Sequence, residues 1–329
     1  MERLIFSLGL ILIGLALGYI LQRLDRKKIL TLPLPIASLR KLLQKIGLLF
    51  FMPIIFMSAV WIVSFENLRV FWLPVIGIVA LLSGGFLALF IARLQNKSRN
   101  QATVLFCCGS FSNLGAIGTL VSYWFLGEAG LGLVVLYRML EEIYYYAFAY
   151  PMARFYSGGG VDEGQSLGKR LLAVLKDPFV AAALSAFIIG LSLNLTGIPR
   201  PSFFETVIAL SVPGGTFVLI VSIGLGMRFS SVDDYLGESL WVSMIKFVAV
   251  PFIACTMAYL FGMHLIDDGL AFKVVLVLSS MPVAFNALVA ASIYDLDLDL
   301  ANSCWIVTTG ALIVILPWLY FLLSSSWLP

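Results

Sequence analysis

The sequence predicts an all-α polytopic membrane protein in which ten transmembrane helices form two inverted repeats of five. Three observations support this fold class. Hydrophobic residues make up 61% and charged residues 12% of the 329 residues, whereas a soluble domain carries about 25% charged residues. Apolar runs of about 20 residues, the length that crosses a bilayer, recur along the chain. One polar segment near the middle separates five such runs from another five.

The spans are defined by apolar runs between polar or basic loops. The longest polar segment, 157–177, is rich in glycine and mixed charges, which indicates a loop. It separates a first repeat, 1–156, from a second repeat, 178–329. Because each half has five spans, the two halves enter the membrane from opposite sides. The ten predicted spans are 4–22, 42–64, 70–92, 102–126, 129–153, 178–196, 205–227, 238–261, 271–292 and 301–323.

The distribution of basic residues sets the expected orientation. The loops that follow spans one, three, five and seven carry fourteen Lys and Arg residues, against four on the opposite side. Short cytoplasmic loops are enriched in Lys and Arg, so these loops are expected in the cytoplasm. Both termini are then expected outside the cell, in a multi-pass protein of the cell membrane.

Two spans combine helix-weakening residues with one asparagine near the middle. The fourth span contains GSFSNLGAIGT, 109–119, with Asn113, and the ninth contains SSMPVAFNALVAAS, 279–292, with Pro282 and Asn286. Interrupted helices at matching positions of two inverted halves point to the binding site of a carrier, and half-helix N-termini at such a site favour an anion. Alternatively, Pro282 only kinks a packed helix and the asparagines bond neighbouring helices.

These stretches resemble the auxin efflux carrier family, which includes the plant PIN-FORMED proteins and many bacterial organic-acid carriers. The segment MPVAFNALVAASIYDLDLDLANSCWIVTTGALIVILP, 281–317, is similar to the family pattern of a Pro and Asn crossover, Tyr-x-x-Asp, Leu-Ala and a final span with a late proline. The segment SNLGAIG, 112–118, resembles the crossover of the first repeat. One departure is Thr119, which stands where the family commonly has a proline in or next to this motif.

The resemblance implies ten helices in which spans four and nine cross, with the substrate beside the crossing. Spans one, two, six and seven would form a scaffold and dimer surface, and spans three to five and eight to ten a transport domain with an elevator-like movement. The expected protein is a homodimeric carrier for a small organic anion, in particular a carboxylate or auxin-like acid, with proton or sodium coupling left open. Carried over by motif, the site residues are Asn113, Asn286 and Pro282, with Ser112 and Gly115 beside the first asparagine.

The fifth span places charges inside the membrane. Its segment LYRMLEEIYYYAFAYP contains Arg138, Glu141 and Glu142, which share a helix face and can pair. A charge at the centre of a span costs about 2.5–3.5 kcal/mol, so such residues usually face a cavity or a partner. In one interpretation Arg138 meets the substrate anion, Glu141 pairs with it or carries a proton, and the neighbouring Tyr137 also lines the site. In the other, the charges form a structural ion pair.

Three further features have two interpretations each. Lys246 in span eight is expected to snorkel to the cytoplasmic surface, the alternative being a contact with a carboxylate of the transport domain. Asp295, Asp297 and Asp299 are expected to cap span ten, the alternative being a cation site. The aromatic run YYYAFAY, 144–150, is expected to be an interfacial belt, the alternative being a wall that stacks on a substrate ring.

Other functional classes fit the residues less well. No cofactor or metal site is predicted, since the four cysteines lie in apolar runs, and membrane lipid rather than nucleic acid is the expected partner. An intramembrane enzyme is disfavoured because the one histidine, His264, falls in a loop. A sodium-coupled symporter of the bile-acid type is the closer alternative. Ser110, Ser112 and Thr119 would join the two asparagines as oxygen ligands, but the acidic residue expected beside them is not evident.

Overall fold

The computed structural model describes residues 2–65, 67–156, 176, 178–229 and 231–325. The all-α prediction is confirmed for these residues, which form helices and contain no β-strand. The helices are α1 (Glu2–Arg26), α2 (Ile36–Ile46), α3 (Met52–Trp61), α4 (Leu73–Leu94), α5 (Arg99–Ser110), α6 (Thr119–Arg138), α7 (Glu141–Tyr144), α8 (Tyr150–Tyr156), α9 (Pro178–Leu195), α10 (Phe203–Gly224), α11 (Leu236–Met244), α12 (Val250–Leu260), α13 (Leu270–Ser279), α14 (Asn286–Ile293) and α15 (Leu298–Ser324).

Eight helical runs of the described residues are long and apolar enough to cross a membrane. The count is lower than the predicted ten because two predicted spans are not continuous helices. Span nine is divided into α13 and α14, of ten and eight residues. Span four is divided between α5 and the long run Leu114–Phe155, which also contains span five. The inverted repeat and the orientation of the termini stay predictions.

The run Leu114–Phe155 contains a break at Gly127. This residue has φ 75° and ψ −171°, a conformation that a residue with a Cβ atom rarely adopts. The break lies where the sequence predicts the loop between spans four and five, so a glycine turn separates two segments that are otherwise helical.

The described residues form two units. The first lies within 1–64, 115–135 and 177–227, and includes the helices of predicted spans one, two, six and seven. The second lies within 65–114, 136–176 and 228–329. The scaffold, the transport domain and the repeats 1–156 and 178–329 stay predictions. The predicted loop 157–177 lies outside the described residues except for Lys176.

In the first unit, α1 packs closely against α10. Gly14 and Gly18 lie one turn apart on α1, and a Cβ atom at Gly18 would collide with the carbonyl oxygen of Val221 and with Gly224. Small residues four positions apart let two membrane helices approach to backbone distance. The absence of a side chain at Gly18 is therefore what this helix crossing needs.

Also in the first unit, Asn194 satisfies the end of α3. Its side-chain nitrogen donates to the carbonyl oxygens of Val60, Trp61 and Val63 at 3.1, 2.8 and 2.8 Å. The last carbonyls of a helix have no partner within the helix, and lipid offers none. The carboxamide on α9 therefore allows α3 to end within the protein.

In the second unit, Asp297 caps α15. Its carboxylate accepts the backbone N–H of Leu300 at 3.0 Å and the hydroxyl proton of Tyr235 at 2.9 Å. The hydrogen bond to this carboxylate raises the pKa of Tyr235 to about 12. Asn100 accepts the backbone N–H of Asp297 at 2.7 Å. The cap predicted from the acidic run is thus confirmed for Asp297.

The crossing of α1 and α10 gives a prediction for stability. Gly18→Ala places a methyl group against the backbone of α10, and we expect the free energy of unfolding to fall by about 1–3 kcal/mol. The matched control is Gly9→Ala on the same helix, where no atom lies within 4 Å of the added Cβ. Thermal unfolding of the purified protein in detergent measures both. Equal melting temperatures for the two variants would contradict the close crossing.

Candidate functional site

Two helices of the second unit end at the segments that the sequence analysis singled out. α5 ends at Ser110, and the next residue, Phe111, is extended with φ −73° and ψ 124°. α13 ends at Ser279 and α14 begins at Asn286. Pro282 lies between them and cannot donate a backbone hydrogen bond, which opposes a continuous helix.

The two non-helical segments pair with each other. The backbone N–H of Asn113 donates to the carbonyl of Pro282 at 2.9 Å, and that of Ala284 donates to the carbonyl of Phe111 at 3.1 Å. Between these bonds, Ser112 and Val283 lie opposite one another in antiparallel register. Each interruption thus supplies backbone partners for the other, as a segment without water requires.

A third contact fixes the second segment to α15. Thr308 accepts the backbone N–H of Val283 at 3.2 Å and donates its own hydroxyl proton to the carbonyl of Cys304 at 2.8 Å. Both residues are fully buried. The paired segments are therefore held on one side by a helix side chain as well as by each other.

The two predicted asparagines differ in exposure. Asn113 is buried, at 7% exposed, and Asn286 is half-buried at the first position of α14. Within the described part of the chain, the Asn286 carboxamide has no hydrogen-bond partner. The first N–H groups of a helix lack intrahelical partners and carry partial positive charge. The N–H groups of Ala287, Leu288 and Val289 already donate to the carbonyls of Ala284 and Phe285, so the start of α14 offers the Asn286 carboxamide and the partial positive charge of a helix N-terminus.

Ser112 connects the paired segments to two buried side chains. Lys246 Nζ donates to Ser112 Oγ at 2.6 Å, and the Ser112 backbone N–H donates to the hydroxyl of Tyr145 at 3.3 Å. Both partners lie in π-helical turns, Ile245–Ala249 and Tyr145–Ala149. Such turns are often found at functional sites. They bring an amino group and a phenol to the first interrupted segment.

The charged residues of span five form an ion pair that reaches this network. Arg138 Nε lies 2.6 Å from Glu141 Oε2, and the two side chains are 13% and 6% exposed. Glu141 Oε1 accepts the hydroxyl proton of Tyr145 at 3.0 Å. One carboxylate therefore binds the guanidinium with one oxygen and orients the Tyr145 phenol with the other, and that phenol contacts Ser112.

One expectation from the sequence is wrong. Lys246 does not snorkel, because its side chain is 1% exposed and bonded to Ser112. The interfacial belt at 144–150 stays a prediction, and the run has both buried and exposed members. Tyr144 and Tyr145 are buried, and Tyr144 shares a 2.6 Å hydrogen bond with Ser110. Both tyrosines lie on the helix face that packs inward, and only neighbours such as Tyr146 are exposed.

The other candidate residues have different surroundings. Tyr137 is buried, and its carbonyl lies against Gly77 on α4. Gly115 is half-buried in the turn Leu114–Gly118, which extends into the first unit. The roles assigned to all these residues stay predictions. Tyr144 and Tyr145 were predicted only as members of the aromatic run 144–150, and Thr308 was not predicted as a site residue. The spacing of the two tyrosines from Glu141, three and four residues, is the sequence signal that could have linked them to the ion pair.

Comparisons with known proteins support the prediction that the chain is a membrane protein. A family model described as "Membrane transport protein" matches residues 8–320. The chain is 27% identical to an uncharacterized transporter of Methanothermobacter thermautotrophicus over 245 aligned residues. The aligned region covers 74% of this chain and 76% of that protein. The chain is also 27% identical over 268 residues to an uncharacterized transporter of Methanocaldococcus jannaschii, covering 79% and 82%. The family match includes both interrupted segments.

The ion pair of span five gives a second prediction. Glu141→Gln removes the carboxylate partner of Arg138, and breaking a buried pair costs about 3–5 kcal/mol. We expect the free energy of unfolding to fall by an amount near the lower limit, because the Arg138 side chain keeps 13% of its exposure. Thermal unfolding in detergent measures the change.

The control is Glu205→Gln, an exposed carboxylate in the first turn of α10, where a change within about 0.5 kcal/mol is expected. The double variant Arg138→Met, Glu141→Leu should recover much of the lost stability, because it leaves no unpaired buried charge. A Glu141→Gln variant as stable as its control would mean that the pair contributes nothing to the fold.

Proposed function

Because the chain belongs to the membrane transport protein family, which is the family of the auxin efflux carriers, we propose that it is a secondary transporter for a small organic anion. The substrate class we favour is a carboxylate or auxin-like acid, moved across the cell membrane by elevator-type alternating access. The observation that carries the anion proposal is the half-buried Asn286 carboxamide at the start of α14, beside the paired segments.

The balance of donors and acceptors supports an anionic substrate. Near the paired segments the donors are the Asn286 carboxamide and the side chain of Lys246, and the N-terminus of α14 adds partial positive charge. The carboxylate of this network, Glu141, is already paired with Arg138. A carboxylate accepts hydrogen bonds from N–H groups and is favoured at a helix N-terminus. A cationic substrate would find no uncommitted carboxylate in this network.

The interrupted helices support alternating access. Carriers commonly build their substrate sites from discontinuous helices, and here two of them share one set of backbone hydrogen bonds. The elevator movement and the homodimer rest on the family resemblance. Under this proposal the substrate carboxylate binds at Asn113 and Asn286, and Ser112, Gly115 and Pro282 shape the backbone around it.

The asparagines provide the direct test. Purified protein is screened by thermal shift and scintillation proximity against acetate, benzoate, indole-3-acetate and malate. We expect one or more to bind, and Asn113→Ala and Asn286→Ala to weaken binding by about tenfold or more, because a hydrogen bond to a charged group contributes about 1.5–3 kcal/mol. The control is Asn67→Ala, which removes a carboxamide from the turn before α4. Unchanged affinity in both site variants would place the substrate elsewhere.

The sodium-coupled alternative has its own test. A sodium ion at the first interrupted segment needs oxygen ligands, but the Ser112 hydroxyl is engaged by the amino group of Lys246 at 2.6 Å. We therefore expect uptake of the bound carboxylate into proteoliposomes to be unchanged when choline replaces sodium on both sides. Uptake that stops without sodium would favour the symporter of the bile-acid type.

A further inference from the structure

Lys246 lies near the middle of a membrane-capable run and has no carboxylate partner. The run is Leu236–Leu260, and the lysine side chain is 1% exposed. Its hydrogen bond goes to the neutral hydroxyl of Ser112. An isolated ammonium in an apolar interior is so costly that such a group tends to give up its proton. The position of Lys246 is therefore unfavourable for a permanent charge.

The buried arginines of this protein are in a different situation. Arg138 is paired with Glu141, and in the first unit Arg200 lies 2.5 Å from Glu128. Within the described residues, no carboxylate oxygen lies within 4.0 Å of Lys246 Nζ. These two arginines, which stay charged at all relevant pH values, are thus compensated, whereas Lys246, the buried lysine of the described part of the chain, has no carboxylate partner there.

The charged groups around Lys246 lie on the elements that pack against its run in the described structure. The run that contains it packs against α4, α5, α13, α15 and the turn Met263–Leu265. Glu238, on the same run, is paired with Lys97. The titratable or charged side chains of these elements are Arg93, Arg99, Cys107, Cys108, Glu238, Cys255, Tyr259, His264, Lys273, Asp299, Cys304 and Tyr320.

We propose that Lys246 is the proton-binding group of the carrier, a neutral amine in the empty protein that takes up one proton when the organic anion binds. This rests on the proposed function. A hydronium ion of the surrounding water gives its proton to the amine lone pair, so that one O–H bond breaks, one N–H bond forms and a water molecule is released. A monovalent anion and the proton then travel as a neutral pair. Ser112 carries the coupling, because its hydroxyl contacts Lys246 and the next residue is Asn113.

Glu141 is the other candidate for the proton, and its contacts disfavour it. One carboxylate oxygen faces the Arg138 guanidinium at 2.6 Å and the other accepts the Tyr145 hydroxyl proton at 3.0 Å. Both oxygens of the Glu141 carboxylate are thus occupied by donors, and the contacts orient Tyr145. The Lys246 amine, in contrast, has room for a new anionic partner because its one hydrogen bond goes to a neutral hydroxyl.

The consequence is a linkage between anion affinity and pH. Since the bound state holds one more proton than the empty state, affinity rises as pH falls. The slope reaches about tenfold per pH unit wherever the empty carrier holds a neutral lysine and the loaded carrier a charged one. By the same linkage, lowering the pH beyond the point at which the empty carrier is protonated brings no further gain.

Isothermal titration calorimetry of the full-length protein tests this directly. The probe is the tightest binder among acetate, benzoate, indole-3-acetate and malate, titrated from about pH 5 to about pH 9 in buffers of different ionisation enthalpy. We expect uptake of about one proton per anion over the pH range in which affinity varies. Carboxylate binding with no proton uptake and a flat pH profile overturns the inference and leaves the proposed function intact. A parent protein that binds none of the four overturns the proposed function.

Two variants of Lys246 distinguish the effect of a positive charge at this position from the effect of a group that gains and loses a proton. Lys246→Arg keeps a permanent charge, so anion binding should persist without proton uptake and without the pH slope. Lys246→Met should bind more weakly, also without a slope. Lys273→Met, a lysine that donates to the carbonyl of Asp268 at the start of α13, is the control and should keep the parental slope. A parental slope in Lys246→Arg assigns the proton to another group and ends the proposal.

Discussion

A chain that crosses lipid must satisfy every backbone polar group within the protein, and the second unit depends on how it meets this constraint at two interrupted helices. Each interruption exposes N–H and C=O groups, and the two segments use these groups to bond each other. Asn113 donates to Pro282, and Ala284 donates to Phe111. Neither break is independent of the other, because loss of one segment would leave the partner's backbone unsatisfied. The pairing also brings Asn113 and the segment leading to Asn286 together, although 173 positions of sequence separate the two residues.

Ser112 lies in the first of the paired segments, and side chains from two other helices supply hydrogen-bond partners to it. Tyr145 and Lys246 both reach it from π-helical turns. An extra residue in a helical turn shifts the register of the side chains that follow, so these turns help to point a phenol and an amine at the same serine. The protein thus surrounds its unwound backbone with groups whose orientation is set by packing, while the carboxamide of Asn286 stays accessible.

Local chemistry explains which features could be predicted from sequence. Pro282 removes a backbone donor and an asparagine is rare in lipid, so the second interruption is visible in the residues alone, and the acidic run before α15 similarly predicted the cap at Asp297. Lys246 was assigned wrongly and the contact of Tyr145 with Ser112 was not predicted, because helical periodicity does not reveal which side of a span faces protein rather than lipid. Their partner Ser112 lies 134 residues from Lys246 and 33 from Tyr145. Contacts of this range follow from tertiary packing, and no spacing rule encodes them.

Lys246, which contacts Ser112 directly, and the Arg138–Glu141 pair, which reaches it through Tyr145, take different roles for a physical reason. The Arg138–Glu141 pair is electrically complete, so its cost of burial is largely met inside the protein, and it can hold Tyr145 in one orientation whether or not a substrate is present. Lys246 has no carboxylate partner in the described structure, and under the proposal its positive charge becomes favourable only when an anion binds nearby. The Arg138–Glu141 pair positions Tyr145, which gives the carrier a rigid site. The amine of Lys246 gives it a group whose charge depends on whether the substrate is bound. Because the response is local to one amine, it needs no rearrangement of the paired segments themselves.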